Sequence, residues 1–158
     1  MEFHPRPEDI SYLRTFKSED LTFRGTVEFR SACCQPISDV MTVSAFHLGL
    51  LNKTNELADL IKNDRSVYNN GYNASELRRQ LVCRELPSFI DTEGLYKLAV
   101  AVLDLCESGL KERGFGEEIY LAPLYERVRK HTNPAKTMFE RLENGERIND
   151  MINDYSEV

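Results

Sequence analysis

The hydrophobic pattern of the chain changes its period at Pro36. Before this residue a short segment alternates between apolar and polar positions, which is typical of a half-buried strand because strand side chains alternate with period two. After it, apolar residues recur every three or four positions, which predicts helices. Two strands are therefore predicted on either side of Gly25, at residues 21–24 and 26–31.

Two helices are predicted in the first half of the segment after Pro36. The first begins with Ser38 as its N-cap and continues along apolar positions as far as Leu60. A polar loop follows, and the pair Asn73 and Glu76 then resembles a capping box that begins a short helix. Pro87 ends that helix, because proline removes a backbone donor and disfavours a helical residue before it.

The clearest helical pattern begins after Asp91, which serves as its cap, and ends near Gly114. This stripe is predicted to be the centre of the core. Its apolar positions are Leu95, Leu98, Ala99, Val102, Leu103, Cys106 and Leu110.

Three further helices are predicted towards the end of the chain. The first covers residues 117–130, and its regular part begins near Pro123. The second has Thr132 or Asn133 as its cap and Pro134 in its first turn, and Gly145 ends it. The last is amphipathic and carries Ile148, Met151, Ile152 and Tyr155.

Together these elements predict an α+β fold. A short antiparallel β element near the N-terminus, residues 1–36, is followed by a mostly helical bundle, residues 37–158, within a single domain of 1–158. Because two strands alone do not form a stable sheet, we expect them to pair with another subunit or with a further part of the protein.

The charge balance excludes some classes of partner. The 158 residues carry 26 acidic and 20 basic side chains, for a net charge of −6. This charge argues against a nucleic-acid or anionic membrane surface. No apolar run is long enough to span a bilayer, and the polar N-terminus lacks a signal-peptide profile, so a cytoplasmic location is predicted.

Few residues outside the second predicted strand, 26–31, form a recognisable chemical site. The cysteines have no metal-ligand spacing, and we interpret all of them as structural; the three histidines are tied to no nucleophile. The glycines stand singly, so neither a phosphate-binding loop nor a dinucleotide fingerprint is present. The cysteines are Cys33, Cys34, Cys83 and Cys106.

Glu28 and Arg30 form the candidate site. Residues two apart on a strand share one face, about 7 Å from each other. A carboxylate can bind Mg²⁺ and a guanidinium can bind phosphate oxygens, so the pair suits a metal-bound phosphate. The competing interpretation is a solvated charge pair on the outer face of an ordinary strand.

Three segments carry a resemblance to a known family. Residues 26–31 (Thr-Val-Glu-Phe-Arg-Ser) with Gln35-Pro36, then Gly109–Phe115, and then Thr132–Lys136 occur in this order. The first resembles the late active-site strand of glutamate–cysteine ligases and related carboxylate–amine ligases. The other two resemble the "GL-x-x-RG" and "T-x-P-A" segments near the C-terminus of that family.

The resemblance implies the C-terminal portion of a ligase with a glutamine-synthetase-like fold, in the pathway to glutathione. It implies ATP and Mg²⁺ as cofactors of the complete enzyme, and glutamate and cysteine or another amine as substrates. In that scheme Glu28 binds the metal, and Arg30 binds ATP and stabilises the transferring phosphoryl group. The other metal-binding carboxylates of the family come from an N-terminal ligase region with no counterpart in this sequence. We therefore expect the isolated chain to be inactive and to bind nucleotide weakly.

Two alternatives remain open from the sequence. One is a helical interaction module that associates with itself through the edge of its strands. The other is an accessory subunit that completes a separately encoded ligase. The acceptor amine is also left open, because relatives with similar strands join acids to different amines.

Overall fold

The computed structural model describes residues 19–21, 27–29, 32, 35–69, 71–73, 76–77, 81 and 86–156. The chain divides into two compact units, Met1–Cys34 and Gln35–Val158, and each is described by itself.

The first unit contains a short hairpin. Strand β1, Glu19–Leu21, pairs in antiparallel fashion with β2, Val27–Phe29. In this register Asp20 lies opposite Glu28. Strand β1 begins two residues before the predicted strand at residues 21–24, of which only Leu21 lies within the described residues.

The predicted α+β class is wrong, because the architecture is that of a helical bundle. Among the described residues, strands occur only in the two three-residue segments of the hairpin. Such a ribbon is too small to form a sheet layer against which helices pack. The alternating pattern before Pro36 covers few residues, whereas the helical pattern after it forms six α-helices that set the fold class.

The second unit is helical throughout its regular structure. Two short 3₁₀ segments, Ile37–Asp39 and Glu117–Leu121, accompany six α-helices in its described part. None of the described helices is long and apolar enough to pass through a membrane. The α-helices are α1 Met41–Leu51, α2 Thr54–Asn63, α3 Thr92–Arg113, α4 Ala122–Lys130, α5 Pro134–Glu143 and α6 Ile148–Ser156.

The first predicted helix is in fact two helices. Asn52 and Lys53 separate α1 from α2, and the Thr54 hydroxyl donates to the carbonyl of Leu51 at this break (2.9 Å). Ser38 is not an N-cap: it lies inside the first 3₁₀ turn, where its hydroxyl donates to Asp39 (3.1 Å). The apolar periodicity continues through the break, so periodicity alone did not reveal it.

Other predicted helix boundaries are confirmed. Asp91 precedes α3, and Gly114 ends it with a left-handed backbone (φ 75°), which glycine adopts without strain. Asn133 caps α5, since its side-chain oxygen accepts from the backbone N–H of Lys136 (2.9 Å). The reciprocal bonds of the capping box are also present, between Asn73 and Glu76 at 2.9 and 3.0 Å, but most of the helix that the box was predicted to begin lies outside the described residues.

The core forms where α1 crosses α3. Ala45 on α1 and Cys106 and Leu110 on α3 are at most 3% exposed, and Leu121 from the second 3₁₀ turn completes the cluster. The predicted central position of the α3 stripe is therefore confirmed for its C-terminal half. Burial of these apolar surfaces is the main favourable contribution to folding.

Two glycines allow this crossing to be close. A Cβ on Gly109 would lie 2.2 Å from the carbonyl oxygen of Gly49, and one on Gly49 would lie 2.4 Å from the carbonyl oxygen of Cys106. Beside the crossing, the Asn52 amide donates to the carbonyl of Gly109 (3.1 Å), and Lys53 pairs with Glu112. The two helix backbones are therefore in direct contact. The two residues that follow α1 add polar contacts with α3.

We predict that Gly109→Ala destabilises the chain by about 2–3 kcal/mol, because the added methyl forces the helices apart. At an exposed helical position the same change stabilises by up to about 1 kcal/mol, so the sign is diagnostic. Urea denaturation measures the difference. Ser108→Ala, at the exposed neighbouring position, is the control and should change stability by less than about 0.5 kcal/mol.

A compact cap closes α2. The Asp64 carboxylate accepts four hydrogen bonds, from the hydroxyl and N–H of Ser66 and from the N–H groups of Val67 and Tyr68, at 2.5–3.2 Å. The Asn69 amide donates to the carbonyls of Ile61, Lys62 and Asp64. Burial alone raises the pKa of Asp64, but these hydrogen bonds outweigh it and hold the pKa below its usual range.

We predict that Asp64→Ala lowers the free energy of unfolding by about 1–2 kcal/mol at neutral pH, since a capping carboxylate is lost. The folded pKa lies below the unfolded value of about 3.9, so this stabilisation is present above that pH and is lost as pH falls through the folded pKa. Urea denaturation along a pH series should show the two chains converging in acid. Asp59→Ala, at an exposed pair with Lys62, is the control; a pH-independent difference for Asp64→Ala contradicts the prediction.

Candidate functional site

The predicted site residues lie at the edge of the described structure. Only the backbone of Glu28 is described, in the middle of β2, where it pairs with Asp20. Arg30 lies outside the described residues. The structure therefore describes only the strand position of Glu28, and the metal and phosphate roles stay predictions.

The helical unit contains a cleft of about 230 Å³. It lies where the segment before α1 meets the junction of α4 and α5 and the end of α6. It brings together Pro36 and Thr132–Pro134, from two segments that carry the ligase resemblance and lie almost one hundred residues apart. Its lining residues are Pro36, Arg127, Thr132, Asn133, Pro134, Thr137, Arg141, Asp154 and Tyr155.

Arg127 holds one wall of the cleft. Its two terminal nitrogens donate to the Gln35 side-chain oxygen (2.5 Å) and to the Asp39 carboxylate (2.7 Å). The side chains of Arg127 and Asp39 are only 17% and 23% exposed, so the pair is partly shielded from water. The planar fork of arginine suits this double contact, which a lysine cannot reproduce.

The turn between α4 and α5 also lines the cleft. His131 ends α4 with a left-handed backbone (φ 54°), and its ring stacks on Tyr96 of α3 at a centroid distance of 3.6 Å. The hydroxyls of Thr132 and Thr137 lie 3.2 Å apart. The resemblance segment Thr132–Lys136 therefore has a clear local task, which is to end one helix and cap the next.

Arg141 occupies the far side of the cleft. It donates to Glu146 (2.7 Å) and pairs with Asp154 of α6. These hydrogen bonds, that to Glu146 first, raise the pKa of Arg141 above its ordinary value. The guanidinium therefore stays charged and ties α5 to α6.

Both arginines that line the cleft form ion pairs with carboxylates of the same chain. Arg127 faces Asp39, and Arg141 faces Glu146 and Asp154. An anion entering the cleft must therefore compete with carboxylates that already occupy both guanidinium groups. The arrangement is suited to fixing the segment at Gln35–Asp39 against α4, and the cleft by itself has the chemistry of a structural junction.

The Gly109–Phe115 segment also has structural tasks. Gly109 and Leu110 lie in the α1–α3 crossing. Arg113 pairs with Glu117 (2.7 Å) and lies 5.5 Å from the centre of the Phe115 ring. The segment thus connects the end of α3 to the second 3₁₀ turn.

A second polar cluster joins α3 to α4. The Tyr125 hydroxyl lies 2.9 Å from Asp104 and 3.0 Å from Glu107. Burial, together with these two carboxylates, raises the pKa of Tyr125 well above its ordinary value. The phenol therefore stays protonated and acts as a hydrogen-bond donor between two helices.

Cys106 is the one cysteine within the described residues. Its thiol is fully buried and lies 3.3 Å from the Phe46 carbonyl oxygen, and burial raises its pKa to about 11. Its structural interpretation agrees with this environment, since a thiolate does not form there at neutral pH. Within the described ranges, no three His, Cys, Asp or Glu side chains come together as metal ligands.

Comparison with known proteins found no matching family model, curated protein or solved structure.

The sequence did not single out Arg127 or Arg141. Arg127 contacts residues 88 and 92 positions earlier in the chain, and no local pattern encodes a contact of that length. The sequence provided only an indirect indication of this cleft. Gln35-Pro36 and Thr132–Lys136 both belong to the ligase resemblance, and both segments contribute residues to the cleft.

We predict that Arg127→Lys lowers the free energy of unfolding by about 1–2 kcal/mol, because one side of a charged double contact is lost. Amide hydrogen exchange at residues 35–40 should accelerate in the same variant. Arg129→Lys, at a 68% exposed side chain paired with Glu126, is the matched control and should change stability by less than about 0.5 kcal/mol. Equal effects of the two substitutions contradict a special role for Arg127.

Proposed function

We propose that this chain is the C-terminal part of an ATP-dependent carboxylate–amine ligase that resembles glutamate–cysteine ligase. The complete enzyme joins the γ-carboxylate of glutamate to the amine of cysteine or of another acceptor. Its cofactors are ATP and Mg²⁺, and the isolated chain is inactive without the N-terminal ligase region.

One observation carries this proposal. Segments that resemble separate parts of the ligase family, at Gln35-Pro36 and Thr132–Lys136, contribute to one cleft. The two segments lie almost one hundred residues apart in the sequence, and their meeting at one cleft supports the proposal. The Arg127 contact with Gln35 adds a direct tie between this cleft and the residues that follow the Glu28 strand.

The hairpin register supports the Mg²⁺ part of the proposal. Glu28 and Asp20, both carboxylate residues, occupy opposite positions in the antiparallel pair. Mg²⁺ in nucleotide sites is commonly bound by one or two carboxylates together with phosphate oxygens. The donor types at this register therefore fit the metal, and Glu28 remains the proposed ligand.

In the proposed reaction the γ-carboxylate oxygen of glutamate takes the γ-phosphoryl group of ATP, and ADP leaves. The amine nitrogen then attacks the activated carbonyl carbon, a C–N bond forms, phosphate leaves and the nitrogen loses a proton. Bound Mg²⁺ would neutralise charge on the phosphate oxygens. Arg30 donates hydrogen bonds to the transferring group, where negative charge is stabilised most effectively by a preorganised donor.

We predict that Glu28→Gln, in the complete enzyme that carries this segment, lowers turnover and raises the Mg²⁺ concentration needed for half-maximal rate. Arg30→Lys should lower turnover about a hundredfold and leave folding unchanged, because the charge remains but the planar fork is lost. The assay measures phosphate release with ATP, glutamate and a panel of amines.

Glu118→Gln, remote in sequence from the proposed site, is the control and should leave turnover and metal dependence unchanged. If both site variants keep the rate and metal dependence of the parent enzyme, Glu28 and Arg30 are not the site. If the complete protein shows no ATP-dependent turnover with any amine, the ligase proposal is wrong, and an interaction module explains the fold better.

A further inference from the structure

Helix α6 is attached to the rest of the helical unit at few points. Met151 is fully buried and Tyr155 is partly buried, whereas the other residues of the helix are exposed. The side chains of Ile148 and Ile152 are apolar, but these residues are 55% and 56% exposed and so add little burial. Met151 is therefore the main apolar anchor of α6.

The sequence of α6 does not favour a helix by itself. Apart from Met151, its nine residues include none of the strong helix formers, which are alanine, leucine, lysine, arginine, glutamate and glutamine. Isolated helices shorter than about 12 residues are also marginal in water. The helix therefore forms because it is docked, and it unfolds locally where docking is lost.

Arg141 provides a polar attachment for this helix. It pairs with Asp154 of α6 and with Glu146 in the turn between α5 and α6. The backbone N–H of Glu146 also donates to the carbonyl of Arg141 (3.1 Å), so Glu146 is fixed to the end of α5. Undocking of α6 therefore removes Asp154 from the guanidinium group and leaves Glu146 beside it.

The same helix closes one side of the cleft. Asp154 and Tyr155 line the cleft together with Thr132 and Thr137, whose hydroxyls lie 3.2 Å apart. A guanidinium group and hydroxyls are donors that bind the oxygens of phosphates and carboxylates. In the docked state such an oxyanion is already present, because the Asp154 carboxylate contacts Arg141.

We propose that α6 is an autoinhibitory strap, in which the Asp154 carboxylate occupies Arg141 in place of an external oxyanion. Undocking of the helix at residues 144–147 exposes Arg141, Thr132 and Thr137 to that oxyanion. Gly145 in this connection has a left-handed backbone (φ 86°), which glycine adopts without strain.

The charges of the strap and of the cleft support this competition. Helix α6 carries Asp150 and Asp154 and no basic residue, whereas the cleft that it covers contains Arg127 and Arg141. Docking of Asp154 and binding of an external oxyanion both place a negative oxygen on the Arg141 guanidinium, so each opposes the other. In the proposed ligase the oxyanion belongs to a phosphate of ATP or to an amino-acid carboxylate. The strap does not depend on that function, because any oxyanion of suitable size has this chemistry.

Hydrogen-exchange mass spectrometry of the full chain tests the strap. The backbone amides of α6 should exchange faster than those of residues 103–110 in α3, because α6 opens locally. Asp154→Asn should accelerate exchange in α6 about threefold, since an exposed ion pair is modest in strength, and should leave α3 unchanged. Met151→Ala should accelerate it by at least about tenfold, because the buried anchor is lost.

Asp150→Asn is the matched control, since it removes the same charge from the same helix outside the cleft. Asp150 lies 3.8 Å from Arg147 at an exposed position, so its substitution should change the exchange of α6 by less than about twofold.

NMR titration of the full chain with inorganic phosphate and, separately, with glutamate tests the oxyanion site. At constant ionic strength, Asp154→Asn should bind at least one probe about threefold more tightly than the parent chain, because the open state is more populated. The amides of residues 132–137 should shift on binding. The double variant Arg141→Gln/Asp154→Asn should lose this gain. Tighter binding of phosphate identifies a phosphoryl group as the ligand, and tighter binding of glutamate identifies an amino-acid carboxylate.

Three results overturn the proposal. The first is an α6 that exchanges as slowly as α3 in the parent chain, and the second is an equal effect of Asp154→Asn and Asp150→Asn. The third is faster exchange of α6 without tighter binding of either probe, which leaves the helix a purely structural role. Far-UV circular dichroism confirms that each variant is folded, and if Met151→Ala is not, Asp154→Asn alone decides both measurements. None of these measurements uses ATP-dependent turnover, so a failure of the ligase proposal does not affect them.

Discussion

The close contact between Gly49 and Gly109 is the constraint on which the helical unit depends. It sets the distance between α1 and α3, because the backbone of one helix touches the backbone of the other. The buried positions of Ala45, Cys106 and Leu110 all follow from that distance. With any larger side chain at the crossing, these residues lose their packing partners, and protein interiors have few voids that absorb such a change.

The same crossing accounts for one of the two apolar faces of α1. The inner face of the helix packs on α3, whereas Met41, Leu48 and Leu51 are apolar and exposed. In a single chain that outer face lowers solubility, because its apolar side chains remain in contact with water.

The sequence predicted what depends on neighbouring residues. The caps at Asn73 and Asn133 and the end of α3 at Gly114 are local, because each joins residues within one turn of helix. The prediction of one continuous helix across Asn52 was wrong, and so was the predicted fold class. Both depend on how segments pack after they have formed. The Arg127 contacts were not foreseen for the same reason. The sequence allowed the prediction that Glu28 and Arg30 share one strand face. It did not allow a prediction of the ion pairs that line the cleft, because these join residues far apart in the chain.

The cap around Asp64 and Asn69 has a consequence for the unfolded chain. Each of its hydrogen bonds joins residues at most eight positions apart. Closing such short loops costs little conformational entropy, whereas the α1–α3 crossing must bring together residues about sixty positions apart. Turns of this kind persist in denatured ensembles after long-range packing is lost. The end of α2 is therefore a natural site of residual structure and an early point from which refolding can begin.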